Sequence, residues 1–446
     1  MDGAVNLTRR TLLTSAPALA APALATPAAA APALAAPALA TPALATPALA
    51  TPAAAAPASG GPAPSAVPAG APPASGAREA RFRAALDHAV AKLRSVAPRV
   101  TSFPEETRFE RWTYVDDGGW VGGFWPGLLW LAHVDTGDPL FRDLAIASAE
   151  RLAPRKDHPR DHDLGFLFYP SWVTAWRLTG EAKWRAGAIK AADGLIARFN
   201  PAGRFIRAWG ALGTPGNAGR AIIDTMMNLD LLAFATRETG DPKYLDTAVA
   251  HARTTRRRFL RPDGSTPHVF DFDPATGAPL GPGTVQGYSP TSAWARGQSW
   301  GLYGFTTMFR RTGDPEFLDT ACRMADFALG ALTPDHVPVW DYRSPLAPND
   351  VKDASAGAIM ACGLLDLARA SDRPRYRESA LRILDALCRT CLTTASSRHE
   401  AVLARGTRHR PAEIGVEVSL PYGDYYLVEA LLRVLKPVEV GRAIGL

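Results

Sequence analysis

The stretch Arg220-Ala-Ile-Ile-Asp-Thr-Met-Met-Asn-Leu-Asp-Leu-Leu-Ala-Phe-Ala-Thr-Arg-Glu238, followed at once by Thr239-Gly-Asp-Pro242, decides how the chain folds. Apolar side chains fill nearly every face from Ile222 to Ala235, so a helix here is buried almost all round. The Thr-Gly-Asp-Pro that follows ends it: Gly can take the left-handed conformation that closes a helix, Asp can cap the next one, and Pro suits its first turn. One residue does not fit a plain core helix. Asp224, at the first turn, has two readings: a cap for free N–H groups or an acid/base held in a pocket. The segment itself leaves both open.

The same turn recurs in both directions. Thr136-Gly-Asp-Pro, Thr179-Gly-Glu and Thr312-Gly-Asp-Pro each follow an apolar helical stretch, and an aromatic (Phe141, Trp184, Tyr244, Phe317) stands three residues after the acidic one. Ala370-Ser-Asp-Arg-Pro, with Tyr376 behind it, is a fifth, degenerate copy. Helices after the turns, at about 139–152, 182–198, 242–259, 315–330 and 374–391, are amphipathic and charged, and 78–96 is of the same kind. Those before the turns, at about 123–135, 165–178, 222–237, 293–311 and 354–369, are rich in Gly, Ala, Trp and Leu, and 424–435 joins them. The expectation is an all-α protein, an (α/α)6 barrel of six inner and six outer helices. An open solenoid would space its repeats evenly, whereas the Thr-Gly pairs here lie 43, 60 and 73 residues apart. The extra length falls before the inner helices, in 199–220, 260–292, 331–352 and 392–423, and an alternating barrel puts all of these at one end. Binding residues are expected there.

Composition bounds the rest. The 446 residues, 47% hydrophobic, can bury a large core. Residues 1–77 stand apart from the body at 78–446, which is expected to be one barrel domain. Leu7-Thr-Arg-Arg-Thr-Leu-Leu13 reads as a twin-arginine export signal, and the Ala-Pro-Ala-Leu-Ala-Thr-Pro repeats after it read as a disordered low-complexity leader. An exported protein is expected. The net charge of +6 is modest and no basic run is interleaved with aromatics, which argues against nucleic acid as a partner. No stretch after the leader is long and apolar enough to span a membrane. Of the four cysteines, Cys388 and Cys391 form one Cys-x-x-Cys with no second pair, and core packing is the favoured reading over a metal or redox site.

The starts of the inner helices carry Gly123-Phe-Trp-Pro-Gly127, Asp161-His-Asp-Leu-Gly-Phe166, Ile222-Ile-Asp-Thr-Met-Met-Asn228, Ser292-Ala-Trp-Ala-Arg-Gly-Gln-Ser-Trp300, Asp353-Ala-Ser355 and Pro421-Tyr-Gly-Asp-Tyr-Tyr426. Carboxylates, aromatic plates and an arginine converge where six helix dipoles point their positive ends. An acidic sugar ring suits such a place. Asp163 and Asp224, on successive inner helices, are the natural acid/base pair, because neighbouring carboxylates raise one another's proton affinity. Beside these readings stand plainer ones. Arg296 can pair with a buried carboxylate, Trp125 and Trp300 can be core, His268 can be an ordinary loop histidine, and Asp353 and Asp424 look like caps. His162 beside Asp163 lacks the further ligands a metal site needs.

At these motifs, together with Arg261-Pro-Asp-Gly-Ser-Thr266 and Gln286-Gly-Tyr288, the chain resembles the unsaturated glucuronyl hydrolases, glycoside hydrolase family 88, from about residue 105 to 435. The resemblance implies an (α/α)6 barrel that removes 4,5-unsaturated uronic acid from the non-reducing end of oligosaccharides made by polysaccharide lyases, with no metal or organic cofactor. It implies Asp224 as general acid/base and Asp163 as its essential partner, with His162, Trp125, His268, Gln286, Arg296 and Trp300 around the unsaturated ring. The implied reaction is a hydration: the enol ether is protonated at C4, water adds at C5, and the hemiketal opens and expels the sugar. Thr225 departs from the Asn expected at that position, which puts a hydrogen bond near Asp224 in question. Rival readings are an unsaturated rhamnogalacturonyl hydrolase, for which Arg-Gly-Asn-Gly-Trp is expected where this chain has Arg-Gly-Gln-Ser-Trp, a sugar epimerase on the same barrel, and a catalytically inactive glycan-binding barrel.

Overall fold

A computed structural model of the chain describes residues 75–394 and 398–446. The twin-arginine segment and the Ala/Pro repeats lie outside the described residues. Helices follow in chain order: α1 (Ser75–Val96), α2 (Phe124–Thr136), α3 (Pro139–Arg151), α4 (Leu164–Phe168), α5 (Thr174–Thr179), α6 (Ala182–Ile196), α7 (Thr225–Thr239), α8 (Lys243–Phe259), α9 (Ala295–Thr312), α10 (Pro315–Gly330), α11 (Ala354–Ser371), α12 (Pro374–Thr390), α13 (Pro421–Leu435) and α14 (Pro437–Ile444). A π turn at Tyr169–Val173 joins α4 to α5 as one inner rod. Pro170 explains the interruption, since it brings no N–H and its ring collides with the carbonyl one turn back.

Each Thr-Gly turn is built as its residue types dictate. Gly137, Gly180, Gly240 and Gly313 all have φ between 69° and 77°. The carboxylates of Asp138, Asp241 and Asp314 accept the N–H two residues ahead. The threonine also has a role: in all four copies its hydroxyl donates to the carbonyl four residues back and accepts the N–H two residues on. The aromatics behind the turns, Phe141, Trp184, Tyr244, Phe317 and Tyr376, are all buried. In the degenerate copy Asp372 itself takes the left-handed conformation, at φ 51°.

The inner rods α2, α4–α5, α7, α9, α11 and α13 pack each on the next, and α13 packs on α2, which closes the ring. Among the described residues the outer helices are α1, α3, α6, α8, α10 and α12, and α1 covers the last inner rod, α13. This is the expected (α/α)6 barrel. Around its rim run short strands too brief to show a period of two in sequence: a hairpin of β1 (Phe103–Arg108) and β2 (Arg111–Val115), a pair β3 (Phe199–Asn200) and β4 (Phe205–Ile206), and an antiparallel sheet of β5 (Arg220–Ile222), β6 (Val269–Phe272) and β7 (Pro279–Gly283). The third inner helix therefore begins at Thr225 rather than Ile222, because Arg220–Ile222 pair with Val269–Asp271 instead. No described helix is long and apolar enough to cross a membrane.

The two ends of the barrel differ. At the N-terminal ends of the inner helices the long segments knit to one another through β5–β6 and through isolated bridges such as Trp294 with Asp341 and Gly406 with Val418. At the other end α14 lies against α13, α5 and α2, and the Gly445 carbonyl accepts from Arg310 and Arg311.

Candidate active site

Two adjacent rods carry the centre of the site. Asp163 and Asp224 immediately precede the first residues of α4 and α7, and neither side chain caps its own helix. The capping reading of Asp224 fails on this point: its Oδ2 is buried without a hydrogen-bond partner. The rods approach closely because Gly165 has no side chain, since a Cβ there would sit 2.4 Å from the Asn228 Cα. Asn228 fastens the contact, with its Oδ1 accepting the Phe166 N–H at 2.8 Å and its amide donating to the Asp224 carbonyl at 3.4 Å. Gly165 and Asn228 are thus the parts of the two motifs that set the spacing between the acids.

Each acid faces a neutral imidazole. His268 Nε2 lies 3.7 Å from Asp224 Oδ2, and its Nδ1 accepts the N–H groups of Val285 and Gln286, both at 3.1 Å. Those two donors place the ring proton on Nε2, toward Asp224. Burial, with the Arg296 cation adding, pushes His268 down to about 3. His162 Nε2 lies 3.4 Å from Asp163 Oδ1, and its Nδ1 lies 2.7 Å from the hydroxyl oxygen of Thr225. Burial, followed by the Arg198 cation, holds this imidazole well below its ordinary range. The hydrogen bond that Thr225 alters is therefore one to His162, not one to Asp224.

The carboxyls themselves move the other way. Burial raises Asp224 to about 7, against the Arg296 cation. Burial raises Asp163 well above the carboxylate range, with Asp161 and Asp224 adding and Arg155 and Arg198 opposing. Near neutral pH such a pair holds a proton that can be given and taken back. Both side chains keep about a tenth of their surface open, 10% for Asp163 and 11% for Asp224.

The other expected residues gather around this pair in different ways. Arg296 is fully buried and its guanidinium is committed, to Asp353 Oδ2 at 2.8 Å and to the carbonyls of Thr407 and Arg408. The plainer reading of Arg296 as half of a buried ion pair thus describes what the structure shows. Asp353 also caps α11 by accepting from Ser355 and Ala356. Gln286 is half-buried, and its amide donates to the same Arg408 carbonyl. Trp300, with no exposed surface, packs against Phe166 and Tyr426, and Trp125, 2% exposed, meets Trp112 edge-on. Neither ring presents an open face, as the core reading of these tryptophans has it. Asp424 corrects its expectation as a cap: it sits inside the first turn of α13 and accepts the N–H groups of Val402 and Leu403 from a rim segment. The four cysteines are buried and free.

Some contributors carry no signal in sequence. Arg198, just past α6, reads as a surface charge at the end of an outer helix, yet it is 2% exposed and donates to the carbonyls of Pro159, Arg207, Ala208 and Gly210. Burial lowers it to about 10, and it sets a positive charge behind Asp163. Trp120 and Trp209 are half-buried near the site, the first against Phe166 and Tyr422, the second edge-on to His268.

The profile described as Glycosyl Hydrolase Family 88 matches residues 93–396. The unsaturated glucuronyl hydrolase of Bacillus sp. (strain GL1) is 39% identical over 331 residues, 72% of this chain and 88% of that protein. An unsaturated chondroitin disaccharide hydrolase of Streptococcus pyogenes serotype M1 is 37% identical over 338 residues, 74% of this chain and 84% of that one. Among solved structures, the Bacillus sp. GL1 unsaturated glucuronyl hydrolase, described as responsible for glycosaminoglycan degradation, superposes with a TM-score of 0.76 at 36% identity, covering 81% of this chain and 98% of that one.

Proposed function

The chain belongs to glycoside hydrolase family 88, and on that premise we propose that it hydrates the C4=C5 enol ether of a 4,5-unsaturated uronic acid at the non-reducing end of a lyase-made oligosaccharide, Asp224 being the acid and then the base. The observation that carries this reading is a carboxyl raised to about 7, buried at the start of an inner helix beside a second raised carboxyl and, among the described residues, in no ion pair with a guanidinium. Protonated Asp224 gives its proton to C4. Positive charge then develops at C5 next to a carboxylate just formed, and the same carboxylate takes a proton from the water that adds there. The resulting hemiketal opens and releases the sugar. His268, neutral with its Nε2–H toward Asp224, stabilises the ionised acid without competing for the proton.

Unsaturated disaccharides from hyaluronan or chondroitin are the substrates this reading favours. Their alkene absorbance is expected to decay with the enzyme, while pectin-derived unsaturated rhamnogalacturonyl disaccharides persist. The reverse preference would replace the glucuronyl reading with the rhamnogalacturonyl one, and binding without turnover of either would leave only the inactive barrel. Export through the Arg9-Arg10 signal belongs to the same proposal, since lyase products of extracellular polysaccharides arise outside the cytoplasm. A reporter fused behind residues 1–77 should leave the cytoplasm, and an Arg9→Lys/Arg10→Lys pair should retain it.

A further inference from the structure

The two imidazoles beside the acids are held by unequal means. His268 takes its Nδ1 partners from two backbone amides, which any substitution other than proline leaves in place. His162 takes its Nδ1 partner from one side chain, Thr225, whose hydroxyl makes no other hydrogen bond among the described residues. Thr225 and His162 are both fully buried. Thr225 directly follows Asp224 and His162 directly precedes Asp163, so this bond joins the start of one acid-bearing helix to the start of the other.

We propose that Thr225 is a positioning residue: its hydroxyl donates to His162 Nδ1 and so keeps that ring as the Nε2–H tautomer, with Nε2 beside Asp163 Oδ1 at 3.4 Å though without a hydrogen bond to it or to any other described residue. In the opposite arrangement, with Nδ1–H donating to the threonine, the buried hydroxyl hydrogen has no acceptor and a bare Nε2 faces a carboxylate oxygen 3.4 Å away. The groups facing Asp163 are Asp161 and Asp224, which favour its protonated form, and Arg155 and Arg198, which favour the anion. Those facing His162 are Asp163, Arg198, His251 and His268. Within this set the His162 N–H is an uncharged dipole close to Asp163 Oδ1, and it favours the anionic form of that carboxyl against the burial that raises it.

The inference rests on the proposed reaction for its kinetic arm and not for its spectroscopic one. In ¹⁵N-histidine-labelled protein, the His162 ring, assigned by its loss in His162→Gln, should show a protonated Nε2 and an unprotonated Nδ1. With an unsaturated disaccharide as substrate, Thr225→Val should lower kcat by about ten- to a hundredfold, the range for a partner that fixes a working imidazole, with KM little changed. Loss of the donor leaves Asp163 easier to protonate, so the acid limb of the kcat profile should move to higher pH. Thr225→Ser should restore both. A protonated Nδ1 in the parent overturns the proposal, as does a Thr225→Val enzyme with the parent's tautomer, kcat and acid limb. If Thr225→Val does not fold, the parent spectrum and the Thr225→Ser profile still decide. A parent that turns over no unsaturated disaccharide refutes the reaction and leaves the tautomer to be read from the spectrum.

Discussion

The barrel buries carboxylates at both ends and treats them in opposite ways. At the α14 end Asp230 is gripped by Arg311, and although burial pushes its carboxyl up, the guanidinium more than offsets this and lowers it to about 2. Asp366 lies between Arg310 and Arg433, and Glu429 accepts from Tyr303 and Arg433. At the acid-bearing end the guanidinium of Arg296 is spent on Asp353, and Asp224 is left with a neutral imidazole. On one rod, α7, burial thus leaves a carboxyl lowered to about 2 at Asp230 and one raised to about 7 at Asp224. What separates them is whether an arginine reaches the carboxylate.

That contrast can be broken at either end. Asp224→Asn should cut turnover of an unsaturated disaccharide by roughly 10²–10⁴-fold, the usual worth of a general acid–base group, while urea denaturation finds no loss of stability, because an amide removes a buried charge that had no partner. Asp366→Asn should do the reverse. It leaves Arg433 and Arg310 short of a partner and should cost about 3–5 kcal/mol of unfolding free energy, with kcat per folded molecule intact. Gly165→Ala tests the spacing between the acid-bearing rods; forcing a methyl against Asn228 should cost about 1–3 kcal/mol and lower kcat as well.

The mildest test changes only pH. With Asp224 titrating at about 7 and acting as the proton donor, kcat should fall about tenfold per unit above that value. Its folded proton affinity is raised, so the stability it contributes is complete below the ordinary value of 3.8 and is lost as pH rises through about 7. Asp230 has the opposite sign: its contribution is present above 3.8 and is lost as pH falls toward about 2. Alkaline inactivation without unfolding, and acid unfolding driven from the α14 end, would together bear out the comparison.

The turns made the architecture legible. Thr, Gly, Asp and Pro each perform a local task that needs no knowledge of the rest of the chain, and the repeated pattern therefore marked both the hairpins and the end at which the long segments meet. The acids were legible for a related reason, since a carboxylate amid an apolar helix start needs an explanation. Contacts across large separations were not. The Arg296 partner was readable as a carboxylate but not as Asp353, 57 residues on, and the Thr225 hydroxyl meets a ring 63 residues away. Asp424 failed as a cap because its partners come from another segment. Trp125 and Trp300 stand at helix starts, and residue type alone does not tell a stacking plate from a wall.

Ring closure has its own consequence. Because α1 lies on α13 and α13 on α2, the seam is sewn by pairs such as Arg81 with Asp385 and Lys436 with the Asp135 carbonyl, some three hundred positions apart. Contacts of that reach form late, after the intervening chain has paid its loop entropy. During synthesis five hairpins must wait with one apolar flank uncovered until the final inner rod arrives. Trimming either margin of the barrel reopens the same flank, so a shortened gene product is prone to clump, while a circular permutant cut at one Thr-Gly turn retains every neighbour.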